Sequence, residues 1–195
     1  MVRIIAGQNR GHKLKSVPGM KTRPTADRVK EAVFSSIDGL LYGCRFLDVF
    51  GGTGSISLEA VSRGAEHAVI LEKDSDALKV IQDNIAVCRQ QQRCTILRGD
   101  ALALLDQLGR QGKQFDLIYV DPPYQSGLYE SVLQKIASGN LLAADGMILL
   151  ESAKKTSISV ENSIFFIQKE KQYGDTRIVY LKQKNESKNF EINNK

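Results

Sequence analysis

Cysteine is scarce and scattered in this chain. Its three cysteines, Cys44, Cys88 and Cys94, form no C-x-x-C pair, so neither a zinc-ligand set nor a disulfide framework is indicated. The expectation is three buried structural thiols in a reducing cytoplasm. Long apolar runs are also missing. No stretch approaches the roughly 18 residues that span a membrane, and Met1-Val2-Arg3-Ile4-Ile5-Ala6-Gly7 has no apolar core of secretion-signal length. No internal repeat is visible, which excludes solenoids and propellers. Acids are nearly absent from the first 30 residues, where Asp27 alone faces Arg3, Arg10, Lys13, Lys15, Lys21, Arg23, Arg28 and Lys30. The total charge is +5, so the excess of basic residues is concentrated at this end. Such a block is the footprint of a nucleic-acid partner, although a solvated basic face gives the same composition. The length of 195 residues, 42% hydrophobic and 25% charged, suits one soluble domain with a small appendage.

Only four prolines are present, and two stand side by side in Ile118-Tyr119-Val120-Asp121-Pro122-Pro123-Tyr124. The apolar run predicts a buried parallel strand, and the prolines end it in a stiff, extended loop. Asp121 and the Tyr124 ring are thereby placed at the carboxyl end of a strand, where open α/β sheets bind ligands. An exocyclic amine on a purine or cytosine is a poor nucleophile, because its lone pair is delocalised into the ring. The Asp121 carboxylate and the Pro122 carbonyl are acceptors for both of its N–H groups, and neither Pro122 nor Pro123 donates a competing backbone bond. Tyr124 supplies a stacking surface for a flat base. A strand followed by a proline-rich turn is the bland alternative for these residues taken alone.

The rest of the chain predicts alternating strands and helices. Residues 3–15 read as two short strands joined by a Gly/Asn turn, a hairpin whose Arg3, Arg10, Lys13 and Lys15 would grip a phosphate backbone. Thr25 opens a helix to about Ile37, with Val29, Ala32, Val33 and Ile37 inward and Arg23, Arg28 and Lys30 at its start or on its exposed side. Cys44–Phe50 is a strand running into Gly51-Gly52-Thr53-Gly54 and a helix, with Asp48 at the strand end. Strands at residues 67–71 and 94–97 end near Glu72 and Asp100. At these strand tips Glu72 is suited to a ribose diol and Asp100 to an amino group, and a helix-capping or surface glutamate is the alternative for Glu72. Residues 146–151 form a further strand. Residues 163–169 and 176–182 form a hairpin joined through Lys171–Asp175, and residues 183–195 a polar, disordered tail. Residues 1–40 are read as a basic extension and 41–182 as the catalytic domain.

Asp121-Pro122-Pro123-Tyr124 resembles the D/N-P-P-Y/F motif of S-adenosylmethionine methyltransferases that act on planar amines. The acids Asp48, Glu72, Asp100 and Asp121 at four strand tips resemble the class I fold of those enzymes, a Rossmann-like seven-stranded sheet of order 3-2-1-4-5-7-6 with strand seven antiparallel. Arg3-Ile4-Ile5-Ala6-Gly7, the segment Arg23–Glu31, Asp48–Gly54, Leu58–Ala65 and Tyr173-Gly174-Asp175-Thr176 are similar to one family within it, the RsmD family of bacterial 16S rRNA guanine-N2 methyltransferases. That resemblance implies S-adenosylmethionine as cofactor and S-adenosylhomocysteine as product. It implies that Asp48, Gly52 and Gly54 face the methionine part, Glu72 the ribose, and Asp100 and Ala101 the adenine. Arg23, Pro24 and Thr25 would border the cofactor, while Asp121, Pro122, Pro123 and Tyr124 would hold the target guanine. Arg3, Arg10, Lys13, Lys15 and Arg28 would bind 16S rRNA, within an assembling small (30S) subunit. The protein is expected to act as a cytoplasmic monomer, with no membrane and no metal. Gly51 departs from the alanine common in the family and is expected only to loosen the turn. An adenine-N6 DNA methyltransferase, and a non-catalytic RNA-binding assembly factor of the same fold, remain open as alternatives. Proton loss from the amine goes to Asp121 or to water.

Overall fold

The computed structural model describes residues 2–17, 25–123, 127–161 and 163–184, with Thr25 and Ala26 described by backbone alone. The roles assigned above to Arg23, Pro24, the ring of Tyr124 and the tail beyond Lys184 lie outside the described residues.

The alternation read from the sequence is realised as β1 (Val2–Arg3), β2 (Lys13–Leu14), α1 (Thr25–Ser36), β3 (Arg45–Asp48), α2 (Ser55–Ser62), β4 (His67–Glu72), α3 (Ser75–Cys88), β5 (Cys94–Arg98), α4 (Ala101–Arg110), β6 (Phe115–Val120), α5 (Leu128–Ser138), β7 (Leu142–Ala153), β8 (Phe165–Tyr173) and β9 (Thr176–Gln183), with a short 3-10 turn at Asp38–Leu40. Seven strands form one sheet in the order β5-β4-β3-β6-β7-β9-β8. Counted from β3, that is the expected 3-2-1-4-5-7-6. β9 runs antiparallel to both neighbours, and β3 to β7 are parallel to one another.

β6 shows why its sequence is apolar throughout. Leu117 and Tyr119 pack into a core with Val33, Phe34, Leu58, Val61 and Ile81, on the side of α1, α2 and α3. Ile118 and Val120 pack into the opposite core with Leu105, Leu108, Val132 and Leu133 of α4 and α5. A strand covered on both faces needs apolar residues at both parities, each contributing roughly 1.5–3 kcal/mol when fully buried. Helices change face between β3 and β6, so the chain diverges there and leaves a crevice beyond the carboxyl ends of the strands.

Three details differ from the sequence expectation. β7 starts at Leu142 rather than residue 146, with an irregularity in its pairing to β6 between Phe115 and Leu117. β8 runs on to Tyr173, which pairs with Thr176, so the hairpin turn is only Gly174-Asp175. Lys30 is not on the exposed side of α1 but 5% exposed, because Glu59 of α2 provides a buried partner at 3.3 Å. The three cysteines are buried and unbridged, and burial pushes the Cys44 and Cys94 thiols up to about 12. Among the described residues no helix is long and apolar enough to cross a membrane.

Candidate active site

The site is built on the ends of β3, β4, β6 and β7. After β3 the backbone turns through Gly52 and Gly54, both left-handed with φ +55° and +73°, a conformation that costs a side-chain-bearing residue about 1 kcal/mol or more. A Cβ on Gly52 would meet nothing within 4 Å, so the turn borders open space. Gly51 is held for a different reason. A Cβ there would stand 2.4 Å from Ile70 Cγ2 and 3.1 Å from Ile81 Cδ1. Ile70 and Ile81 occupy the room an alanine methyl would take, so the departure at Gly51 is a packing adjustment rather than a loosened turn.

Asp48 ends β3 and is 2% exposed. Its Oδ2 accepts a hydrogen bond from Ser57 Oγ at 2.9 Å. Burial raises its pKa to about 7 against the opposing hydrogen bonds from Ser57 and the Phe50 backbone, and the nearby Glu72 charge adds to the rise. Glu72, at the end of β4, is a loop organiser: Oε2 accepts from Gly52 N at 2.8 Å and Oε1 from Lys73 N and Asp74 N. Oε2 keeps acceptor capacity beyond its single bond. Asp100 caps α4, its Oδ1 accepting from Leu102 N at 3.0 Å and Ala103 N at 3.2 Å. Its other oxygen takes no part in the cap, and neither does the N–H of Ala101. Asp100 is therefore a helix cap, a role the sequence reading did not assign to it, and the cap does not consume its carboxylate.

Asp121 and Pro122 leave β6 at a cavity of about 330 Å³, bordered also by Tyr129, Glu151, Ser152, Ala153, Lys154, Lys155, Asp175 and Thr176. Asp121 is accessible as a residue, yet its carboxyl is crowded by protein. Burial first, then the Glu151 and Asp48 charges, raise its pKa well above the usual carboxylate value. Tyr119 donates its hydroxyl to Glu151 Oε2. Burial also raises Glu151, and the Tyr119 bond opposes that rise. Glu151 was not singled out from the sequence, although the signal was present: it is the acid at the tip of the next strand. Among the described residues, none of Asp48, Glu72, Asp121 and Glu151 has a basic side chain in ion-pair contact. A larger depression, about 510 Å³, lies at the far end of the sheet against the carboxyl ends of α4 and α5 and contains none of these acids.

The basic extension packs onto the same scaffold. Arg10, Lys13 and Arg28 are exposed, Arg3 lies 3.4 Å from Asp27, and Lys15 pairs with Asp83 at 2.7 Å. Buried Asn84 of α3 holds the Lys15 backbone, N to Oδ1 at 2.7 Å and Nδ2 to O at 3.1 Å, and also donates to Thr53 O in the glycine turn at 2.9 Å. The hairpin and the turn thus share one buried amide, a link with no local sequence signal.

This arrangement has counterparts. A family model described as conserved hypothetical protein 95 matches residues 2–182. Ribosomal RNA small subunit methyltransferase D of Escherichia coli is 30% identical over 89% of this chain and 85% of its own length. The protein of the same name from Haemophilus influenzae is 33% identical over 89% of each chain. The chain belongs to this methyltransferase family. The solved structure of yhhF from Escherichia coli, 30% identical, has a TM-score of 0.81 and covers 95% of this chain and 99% of that one. The match spans the family's glycine turn, its strand-tip acids and the N-terminal extension alike.

Proposed function

We propose that this methyltransferase moves a methyl group from S-adenosylmethionine to the exocyclic N2 amine of one guanine in small-subunit (16S) rRNA, presented by an assembling 30S subunit in the cytoplasm. The observation that carries the reading is the juxtaposition of a glycine turn and a buried acid, Asp48, that has no ion pair among the described residues, with a second acid, Asp121, at the mouth of an adjoining cavity.

The residues fit the cofactor. Gly52 borders open space, Asp48 lacks a cationic partner among the described residues, and Glu72 and Asp100 retain acceptor capacity. Asp48, Gly52 and Gly54 would hold the methionine end, Glu72 the ribose, and Asp100 with Ala101 the adenine; Arg23 and Thr25 would border it. S-adenosylmethionine, when bound, supplies a methyl group already activated on a sulfonium. The protein's part is positioning and hydrogen bonding. Asp121 and the Pro122 carbonyl engage the two N–H groups of the amine and draw its lone pair out of conjugation. These bonds strengthen as the nitrogen gains positive charge, which is where catalysis requires them. The raised pKa of Asp121 suits it to receive the proton the amine sheds. Pro123 stiffens the loop, and Tyr124 would stack on the base. The base must leave its helical stack to reach the strand ends, while Arg3, Arg10, Lys13, Lys15 and Arg28 hold the RNA backbone. The enzyme acts as a monomer.

Mass-spectrometric mapping of rRNA from cells lacking this protein should show one missing N2-methylguanosine, restored by purified enzyme. Complete methylation of small-subunit rRNA in those cells would sink the reading. Label transfer to DNA but not RNA would replace it with the adenine-N6 alternative.

A further inference from the structure

The cavity beside Asp121 contains polar groups that methyl transfer to an amine does not itself require. Glu151 is one. Its Oε2 is held by the Tyr119 hydroxyl and its backbone carbonyl by the Tyr129 hydroxyl at 2.9 Å, so the side chain is fixed at the cavity wall. Lys154 borders the same cavity from an exposed position. The acids Asp121, Glu151 and Asp175 on this wall disfavour a phosphate there, and point to a ligand presenting donors.

Guanine presents such an edge. Its N2 carries two donor hydrogens, N1 carries a third, and O6 is an acceptor. Adenine and cytosine place a ring-nitrogen acceptor where guanine has N1–H. Resting on the guanine-N2 reading above, we infer that Glu151 reads the target base by accepting its N1–H. Asp121 holds the reacting amine while its neighbour selects the base. A base with an acceptor at that ring position sets a lone pair against a carboxylate. Sites built on buried hydrogen-bonding groups reject mismatched substrates for this reason.

The test uses the full-length enzyme and small subunits rebuilt with guanine or 2-aminopurine at the mapped position. 2-Aminopurine keeps the N2 amine but has an acceptor at N1 and nothing at C6. Wild-type enzyme should favour guanine by roughly 100-fold or more in kcat/KM. Glu151→Gln should lower guanine methylation about 10- to 100-fold and leave 2-aminopurine unchanged or improved, because the new amide can donate to N1. Equal losses on both bases in Glu151→Gln, with S-adenosylhomocysteine binding retained, would overturn the inference and leave the proposed reaction standing. Absence of any transfer to guanine by wild-type enzyme would instead remove the reaction itself. If Glu151→Gln does not fold, Tyr119→Phe, which frees Oε2 without removing the carboxylate, must narrow the guanine preference or the inference fails.

Discussion

Two groups of buried charge border α2, and they are built on different plans. In one, Glu59 is fully buried and fully used. Its oxygens accept from Ile5 N at 2.8 Å, Ala6 N at 3.0 Å and Arg63 Nε at 2.8 Å, and Lys30 Nζ sits 3.3 Å away. Lys30 also donates to the Arg3 carbonyl and to Ser55 Oγ. Every charge there is answered from within the chain, and the result fastens the N-terminal arm and α1 to the sheet domain. In the other, Asp48, Asp121 and Glu151 crowd together with no answering cation among the described residues, and their carboxyl pKa values all rise. A buried charge answered internally is architecture. One left unanswered at a strand end is held ready for a ligand, because only binding recovers its desolvation cost.

Removing one member from each group should separate the two plans. Glu59→Ala strands Lys30 and Arg63 and leaves the Ile5 and Ala6 amides without their acceptor, so chemical denaturation should show a loss of about 3–5 kcal/mol. Asp121→Ala relieves like-charge crowding, so its unfolding midpoint should match or exceed the wild type. Its turnover should fall by about 100-fold or more, with S-adenosylhomocysteine binding retained. A destabilised Asp121→Ala, or an unaffected Glu59→Ala, would abolish the distinction.

The sequence reveals these two regions unequally. Strand tips are marked locally: an apolar run ending in an acid or Asp-Pro-Pro is visible in a few adjacent residues, so Asp48, Glu72, Asp100 and Asp121 are recognisable. The parallel sheet and its order follow from the alternation of elements and the family resemblance. Glu59, Lys30 and Asn84 have no such marks. Apart from Arg63, one helical turn after Glu59, their partners lie 25 to 69 residues away in sequence, and Lys30 reads as one more surface cation in a basic block until the fold supplies Glu59. Gly51 is similar, since nothing beside it in sequence tells of Ile70 and Ile81.

Gly51→Ala forces a methyl against Ile70 Cγ2, and overpacking of this kind costs about 1–3 kcal/mol. If Ile70 is the obstacle, the penalty should shrink in an Ile70→Ala background, measured as a double-mutant cycle. A cycle with no coupling would show that the turn itself rejects alanine.

Asp48 gives a pH test of the unanswered group. Its folded pKa, about 7, lies above its unfolded value near 3.8, so its contribution to stability is present below about pH 4 and is lost as pH rises through 7. Asp48→Asn should therefore melt higher than wild type at pH 8, and the two should converge in acid. Binding a cationic amine requires the ionised form, so S-adenosylhomocysteine affinity should weaken up to about tenfold per pH unit below 7. Asp48→Asn should bind more weakly and lose that slope.

The smallest effects belong on the basic extension, where charges face water. Lys13 is exposed on β2 with no ion pair among the described residues, so Lys13→Ala should change stability by less than about 0.5 kcal/mol. Its consequence should appear only with RNA present. If Lys13 neutralises a phosphate, the slope of log affinity against log salt should fall by about 1, equally for cognate and unrelated RNA, because a phosphate contact carries no base information. Lys30→Ala gives the matching control. That residue belongs to the same basic block but is buried against Glu59, so its loss should lower stability and leave the salt slope alone. The reverse pattern would mean that burial does not decide which of these cations touches RNA.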